Sequence, residues 1–273
     1  MNLKRNISGI LFLLLISFNH AQAQDTIRLF KYAGNLKQVR VTIAGRTCHL
    51  LFDSGGGFTL LSPELAAQAG KTPYGQMSGF RMSGEKINYQ RIDSITIAIG
   101  KLDLFHPEMG VWDLMSILPD GLPKIDGVLS LKSFEGRVVE LDLGKDMLIL
   151  HDEAPRPGNQ SAWQSISARF ATGNEGNELT IFLNILRNNR NYWFLFDSGN
   201  IGAPLLSSAT VNEWRLPADS TGLYVTDLAP LAKQVSCEKR DILYDGALNF
   251  GIISQRRFLL DLRKRKIWMH IRH

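Results

Sequence analysis

A chain of 273 residues, 44% hydrophobic and 21% charged, has the composition of an ordinary globular protein. Its formal net charge of +5 is too small to argue for a nucleic-acid partner. No CxxC or HExxH pattern occurs, so neither a zinc nor a redox site is supported, and no metal or cofactor is expected.

In chain order, the first element is a processing segment. Lys4 and Arg5 precede an apolar run from Ile10 to Phe18, which is too short for a permanent membrane anchor. Ala21-Gln22-Ala23 follows as a small-x-small cleavage pattern. Residues 1–23 therefore read as a secretory signal peptide. The expectation is an exported protein, periplasmic or secreted, with no stable membrane anchor after cleavage. Loss of Lys4 and Arg5, with no acidic residue beside them, lowers the formal charge from +5 to +3. Cys48 and Cys237 in an exported chain are either paired or both free.

Val39 to Ile43 alternates apolar and polar residues and predicts a strand, followed by a turn at Ala44-Gly45. A second strand runs into Asp53-Ser54-Gly55. Ser62 followed by Pro63 predicts a helix over 63–69. Ile92 to Ile99 alternates again, and turns are expected at Gly100-Lys101 and Gly144-Lys145. Asp152 to Gln160 holds two prolines, a glycine and polar residues, the composition of a linker. The basic run Arg263-Lys264-Arg265-Lys266 lies between apolar segments and predicts a turn rather than a binding patch.

An internal repeat organises these elements. Val39 to Glu64 and Leu179 to Ser208 each give strand, turn, strand, Asp-Ser-Gly, a small-residue loop and Leu-Leu-Ser. Ile125 to His151 aligns without a gap on Tyr244 to His270, with Asp-Gly first, Leu-Asp-Leu later and His last. The chain therefore reads as a duplicated, mostly β unit with short helices. The expected division is an N-terminal lobe over 24–153, a linker over 154–159 and a C-terminal lobe over 160–273.

Asp53 and Asp197 end apolar strands, where an ionised carboxylate is costly to bury unless it is hydrogen-bonded or paired. A two-fold arrangement of the repeats brings the two acids to one interface. Two carboxyls about 3 Å apart share a proton, which puts an acid and a base in one place. That pair suits hydrolysis of an amide by water.

These motifs resemble the aspartic proteases of the retropepsin and pepsin type. The signature is Asp53-Ser54-Gly55 followed by Ile125-Asp126-Gly127, and again Asp197-Ser198-Gly199 followed by Tyr244-Asp245-Gly246. The resemblance implies a bilobal, all-β acid-protease fold with two pseudo-two-fold related lobes, like a fused retroviral homodimer. It implies an aspartic endopeptidase acting on a peptide or protein substrate as a monomer. Asp53 and Asp197 would be the catalytic dyad. Ser54 and Ser198 would lock the two loops across the lobes, Gly55 and Gly199 would leave room for water and substrate, and Gly127 and Gly246 would be structural. A flap is expected in the first lobe, with Gly79, Phe80, Arg81, Met82, Ser83 and Gly84 as its substrate-facing tip, and a shortened or absent flap in the second.

Gly56 and Asn200 stand where the family often carries a small residue such as Ser or Thr after the signature. Gly56 has no side-chain donor, so Asp53 is expected to be the less stabilised carboxylate and the dyad to work at higher pH than in strongly acidic pepsins. The main alternative is a catalytically idle, two-lobed peptide- or glycan-binding relative. A Ser-His-Asp hydrolase lacks its Gly-x-Ser-x-Gly elbow, because Phe52 holds the first position. A nucleotide site lacks the Lys-Ser/Thr of a P-loop.

Overall fold

The computed structural model describes residues 25–154, 162–173 and 176–271. The expected signal peptide and all but the first residue of the expected linker lie outside these residues. The described chain is mostly β, organised as three sheets and short helices.

A six-stranded sheet joins the two halves. Its spatial order is Asp25–Arg28, Met147–His151, Val138–Asp142, Phe258–Asp261, Lys266–His270 and Trp163–Ile166. The two central strands pair antiparallel, from Val138 with Asp261 to Leu141 with Phe258. They are the two copies of the repeated Leu-Asp-Leu block, so a pseudo-two-fold axis passes between them. Each copy turns in the same way. Asp142 Oδ1 accepts from Lys145 N (3.1 Å), and Asp261 Oδ1 accepts from Arg263 N (3.1 Å) and Lys264 N (3.0 Å). The basic run is thus mostly a capped turn, with Lys266 already in the next strand.

Each half then builds its own sheet. The first runs Phe30–Lys31, Lys37–Ile43, Arg46–Asp53, Gly127–Ser130, Leu60–Leu61, Leu102–Val111, Lys86–Ile99 and Tyr74–Phe80. The second runs Ala168–Ala171, Thr180–Arg187, Arg190–Leu195, Gly246–Ala247, Leu205–Ser207, Ala232–Arg240 and Tyr224–Leu228. The orders correspond strand by strand, except that the second sheet has no described counterpart of Tyr74–Phe80. The hairpin turns also correspond. Ala44-Gly45 and Asn188-Asn189 all have positive φ, the type I′ geometry that suits the twist of a two-residue hairpin.

Alternating side chains fill the core. Lys37–Ile43 buries Val39, Val41 and Ile43 on one face, and Arg46–Asp53 becomes continuously buried from Leu50 to Phe52. The helix Pro63–Gln68 starts with Ser62 Oγ accepting from Leu65 N (3.1 Å), one residue shorter than expected. Its repeat partner Ser208–Trp214 is capped by Ser207. One apolar cluster spans both halves. In it Phe196 meets Phe258 edge-on at 5.0 Å, and each such fully buried ring contributes about 2–3 kcal/mol.

A buried acid ties the halves together. Glu140, in the central sheet, accepts from His151 Nε2 (3.0 Å) and from two nitrogens of Arg257. Burial pushes its carboxyl up, but the His151 and Arg257 hydrogen bonds and the Arg257 charge outweigh that and hold it below the usual value. Cys48 and Cys237 are both buried and free, which settles the open choice between pairing and free thiols. Among the described residues no helix is long and apolar enough to cross a membrane.

Candidate active site

Asp53 is the last residue of the strand Arg46–Asp53, and Asp197 lies just beyond Arg190–Leu195. Each strand is held by a parallel partner that begins with the glycine of the Asp-Gly block: Leu50 pairs with Gly127, and Phe194 with Gly246. Both glycines exist for close approach. A Cβ on Gly127 would overlap the Leu60 carbonyl oxygen, and one on Gly246 would overlap the Phe194 ring and lie 2.6 Å from Leu205 O.

The acid before each glycine clamps the same strand. Asp126 Oδ2 accepts from His49 N (2.9 Å), and Asp245 Oδ2 accepts from Trp193 N (2.7 Å). Sequence reasoning missed these two positioning residues. Their signal was present, since Asp-Gly was the first match between the repeats.

The two Asp-Ser-Gly loops meet across the pseudo-two-fold axis. Ser54 N donates to Ser198 Oγ (3.0 Å), and Ser198 N donates to Ser54 Oγ (2.9 Å). Ser54 Oγ in turn donates to Phe196 O (2.8 Å). Both serines are buried. Each aspartate accepts from the second residue after it: Gly55 N to Asp53 Oδ1, and Gly199 N to Asp197 Oδ1, both at 2.8 Å. The two carboxyls are hydrogen-bonded to each other.

Burial raises both carboxyls above the ordinary Asp value. For Asp53 this is opposed by the Gly55 N–H, by the hydrogen bond from Asp197, and by the Gly56 and Gly199 N–H groups. For Asp197 burial is reinforced by the Asp53 charge and by their shared hydrogen bond, and only Gly199 and Asn200 N–H oppose it, so it rises further. The two carboxyls therefore titrate as one pair that shares a proton. Gly56 has no side chain to offer, and the Gly55 N–H is the main backbone donor to Asp53, while the Asn200 amide turns away to Ala203 O and Leu248 O.

The dyad opens into a cavity of about 590 Å³. The hairpin of Tyr74–Phe80 and Lys86–Ile99 overhangs it. Gly79, Phe80, Arg81 and Met82 line the cavity; Ser83 and Gly84 do not. Those two form the turn itself, with Gly84 at φ +84° and its N donating to Arg81 O at 2.8 Å. The tip rests on the other lobe. Leu243 N donates to Met82 O (2.9 Å), and Met82 packs with Leu195, Leu205 and Ala247.

Residues 39–132 match the family model described as aspartyl protease. Three solved structures share the fold. Basic 7S globulin from soybean has a TM-score of 0.52 at 9% identity, covering 90% of this chain and 94% of its own. Conglutin gamma, a basic 7S globulin from lupine seeds, has 0.54 at 11%, covering 91% and 95%. An aspartic proteinase from Irpex lacteus has 0.52 at 11%, covering 91% and 97%.

This is an aspartic-protease fold of the pepsin and retropepsin type.

No curated protein matches the sequence. Within this aspartic-protease fold, the cavity also contains residues that no motif singled out: Phe58, Tyr89, Trp112 and Glu178. They come from distant strands and loops, and nothing in their local sequence marks them. The aspartic-protease fold is carried here by a seed globulin's name and a proteinase's name alike, so the fold by itself does not decide between binding and hydrolysis.

Proposed function

We propose that the protein is an aspartic endopeptidase, with Asp53 as the base and Asp197 as the acid. The observation that supports this most is the hydrogen-bonded pair of carboxyls, Asp197 buried and Asp53 partly buried, both raised and both lining one cavity. A water molecule between the acids loses a proton to Asp53 as its oxygen attacks the peptide carbonyl. Asp197 gives its proton to the carbonyl oxygen, forming a neutral tetrahedral diol. The proton on Asp53 then passes to the leaving nitrogen, the C–N bond breaks, and a diol proton returns to Asp197. Proton transfer by positioned groups of matched pKa is the main contribution of such a pair. The segment from Lys4 to Ala23 supports export, and the single-chain pseudo-dimer supports a monomer.

The test is digestion of a peptide library by the wild type, Asp53→Asn and Asp197→Asn. Each variant is expected to lose on the order of 10³-fold or more in kcat/KM. Cleavage that survives either substitution overturns the proposal. The globulin matches favour a second reading, a peptide- or glycan-binding protein without catalysis. In that case the wild type cleaves nothing, and Asp53→Asn binds peptide or glycan as the wild type does.

A further inference from the structure

A third acid shares the cavity with the dyad. Glu178 lies at the start of the second lobe's sheet, just before Thr180–Arg187. Its neighbour Leu179 donates its N–H to Gly57 O (2.8 Å), which pins Glu178 beside the first lobe's active loop. Tyr89, from the hairpin strand, donates its hydroxyl to Glu178 Oε1 (3.2 Å). The side chain is thus held from both lobes, and one oxygen is already committed.

The second oxygen is placed differently. Glu178 Oε2 accepts no hydrogen bond from a described residue. It lies between two glycines: a Cβ on Gly173 would be 2.7 Å from it and one on Gly57 3.8 Å. Glycine at position 173 leaves room for that oxygen, and Glu178, Gly57 and Gly173 all line the cavity. Thr180 Oγ1 lies beside the same glycine, 3.1 Å from where its Cβ would be, and also lines the cavity.

Charge in the cavity is unbalanced. Asp53, Asp197 and Glu178 face it, with Arg81 at the hairpin tip as the one basic lining residue among the described residues. Arg81 is held by Glu85 (3.3 Å). Lys132, which reaches the neighbouring turn, spends its ammonium on Gly176 O (3.3 Å) and Glu135 (2.6 Å). Among the described residues no Lys or Arg pairs with Glu178. The Tyr244 phenol, across the cavity, is pushed up by burial first and then by the charges of Glu178 and Asp197. Glu178 and the dyad therefore act on the same space.

We propose that Glu178 is a specificity-determining residue that receives a lysine or arginine side chain of the substrate next to the scissile bond. The stem of that side chain runs along the Tyr89 and Phe58 rings, whose centroids are 6.1 Å apart, and its cationic head meets Glu178 Oε2 and Thr180 Oγ1. A charge-assisted pair at a partly buried carboxylate discriminates against a neutral side chain of the same length. This inference rests on the peptidase reading, because the substrate class matters only if the cavity takes a peptide.

The experiment uses two peptide series that place lysine or norleucine at each position around one cleavable bond, and the same series with that bond as a reduced amide. Cleavage is followed as kcat/KM, and binding of the reduced-amide peptides by calorimetry. One position is expected to favour lysine by about tenfold or more in both measurements. In Glu178→Gln that ratio is expected to fall to near one, and in Glu178→Lys to favour glutamate. An unchanged lysine ratio in Glu178→Gln, or no lysine preference in the wild type, overturns the inference and leaves the peptidase reading standing. A lysine preference in binding with no cleavage overturns the peptidase reading and leaves the Glu178 assignment standing. Neither binding nor cleavage overturns both.

Discussion

Gly55 packs against the carboxyl of Asp197 across the lobe boundary, so closely that a Cβ would lie 2.5 Å from Asp197 Cγ and 2.6 Å from Oδ1. Gly199 stands in the same relation to Asp53, with a Cβ 2.8 Å from its Cγ. Each lobe's glycine thus fits against the other lobe's acid. The Gly55→Ala substitution must push a buried, hydrogen-bonded carboxyl aside. Overpacking of this kind costs about 1–3 kcal/mol, and displacement of a reacting group by an ångström costs about 10²-fold in rate. Urea unfolding and peptide cleavage of Gly55→Ala measure the two effects separately; an unaffected cleavage rate contradicts the tight fit.

The raised acids predict how activity depends on pH. Below the lower macroscopic pKa of the dyad both carboxyls are protonated and no base remains. Above the higher one both are ionised and no acid remains. Activity is therefore bell-shaped, and because burial raises both carboxyls, the bell is shifted toward higher pH than unperturbed carboxyls would give. A pH–kcat/KM profile with its maximum below about pH 3 is incompatible with the arrangement.

The same acids predict a pH-dependent stability effect. A carboxyl whose folded pKa is raised contributes stability below its unfolded pKa, and this is lost as pH rises through the folded pKa. Asn at position 197 keeps the shape and cannot ionise. Asp197→Asn is therefore expected to raise Tm at pH 8 relative to wild type and to lose that advantage near pH 4. Thermal melts at the two pH values decide it, and an equal gap at both counts against burial as the cause of the shift.

The Ser54 hydroxyl makes two of the bonds that join the loops. Its loss in Ser54→Ala leaves the buried Ser198 N–H and Phe196 carbonyl without that partner. An unsatisfied buried polar group costs about 1–3 kcal/mol. Denaturant unfolding of Ser54→Ala is expected to fall in this range, with lowered activity because the dyad loses its alignment. A variant as stable and as active as the wild type removes the serine lock from the account.

Arg257→Ala leaves Glu140 buried with only His151 beside it. Glu140 is buried but Arg257 is partly exposed, so loss of this partner is expected to cost about 1–3 kcal/mol. Because the Glu140 carboxyl is held below its usual value, its contribution is present above the unfolded pKa and disappears as pH falls through the folded one. The stability gap between wild type and Arg257→Ala should therefore narrow in acid. A chemical-denaturation series across pH checks the trend, and a gap that widens in acid contradicts it.

Much of this was legible in the sequence because it is local and repeated. The strand ending in Asp53 and its copy ending in Asp197, the Ser62 cap and the Asp142 and Asp261 turns are each specified by residues close together in the chain. The same holds for the turns at Ala44-Gly45 and Asn188-Asn189, where backbone angles follow from the residues themselves. Asp126 and Asp245 were visible only as repeat matches, since their use as strand clamps depends on a parallel partner far away in sequence.

The sequence by itself determined that two equivalent half-sites exist, and that each carries an acid at a strand end beside a glycine. The tertiary structure alone decided that the two carboxyls meet, that backbone N–H groups hold them, and that Glu178 shares the cavity. Local patterns follow from covalent neighbours and periodicity, which the order of residues records. Proton affinity and steric fit instead follow from distance and burial, which arise only when remote segments meet in space.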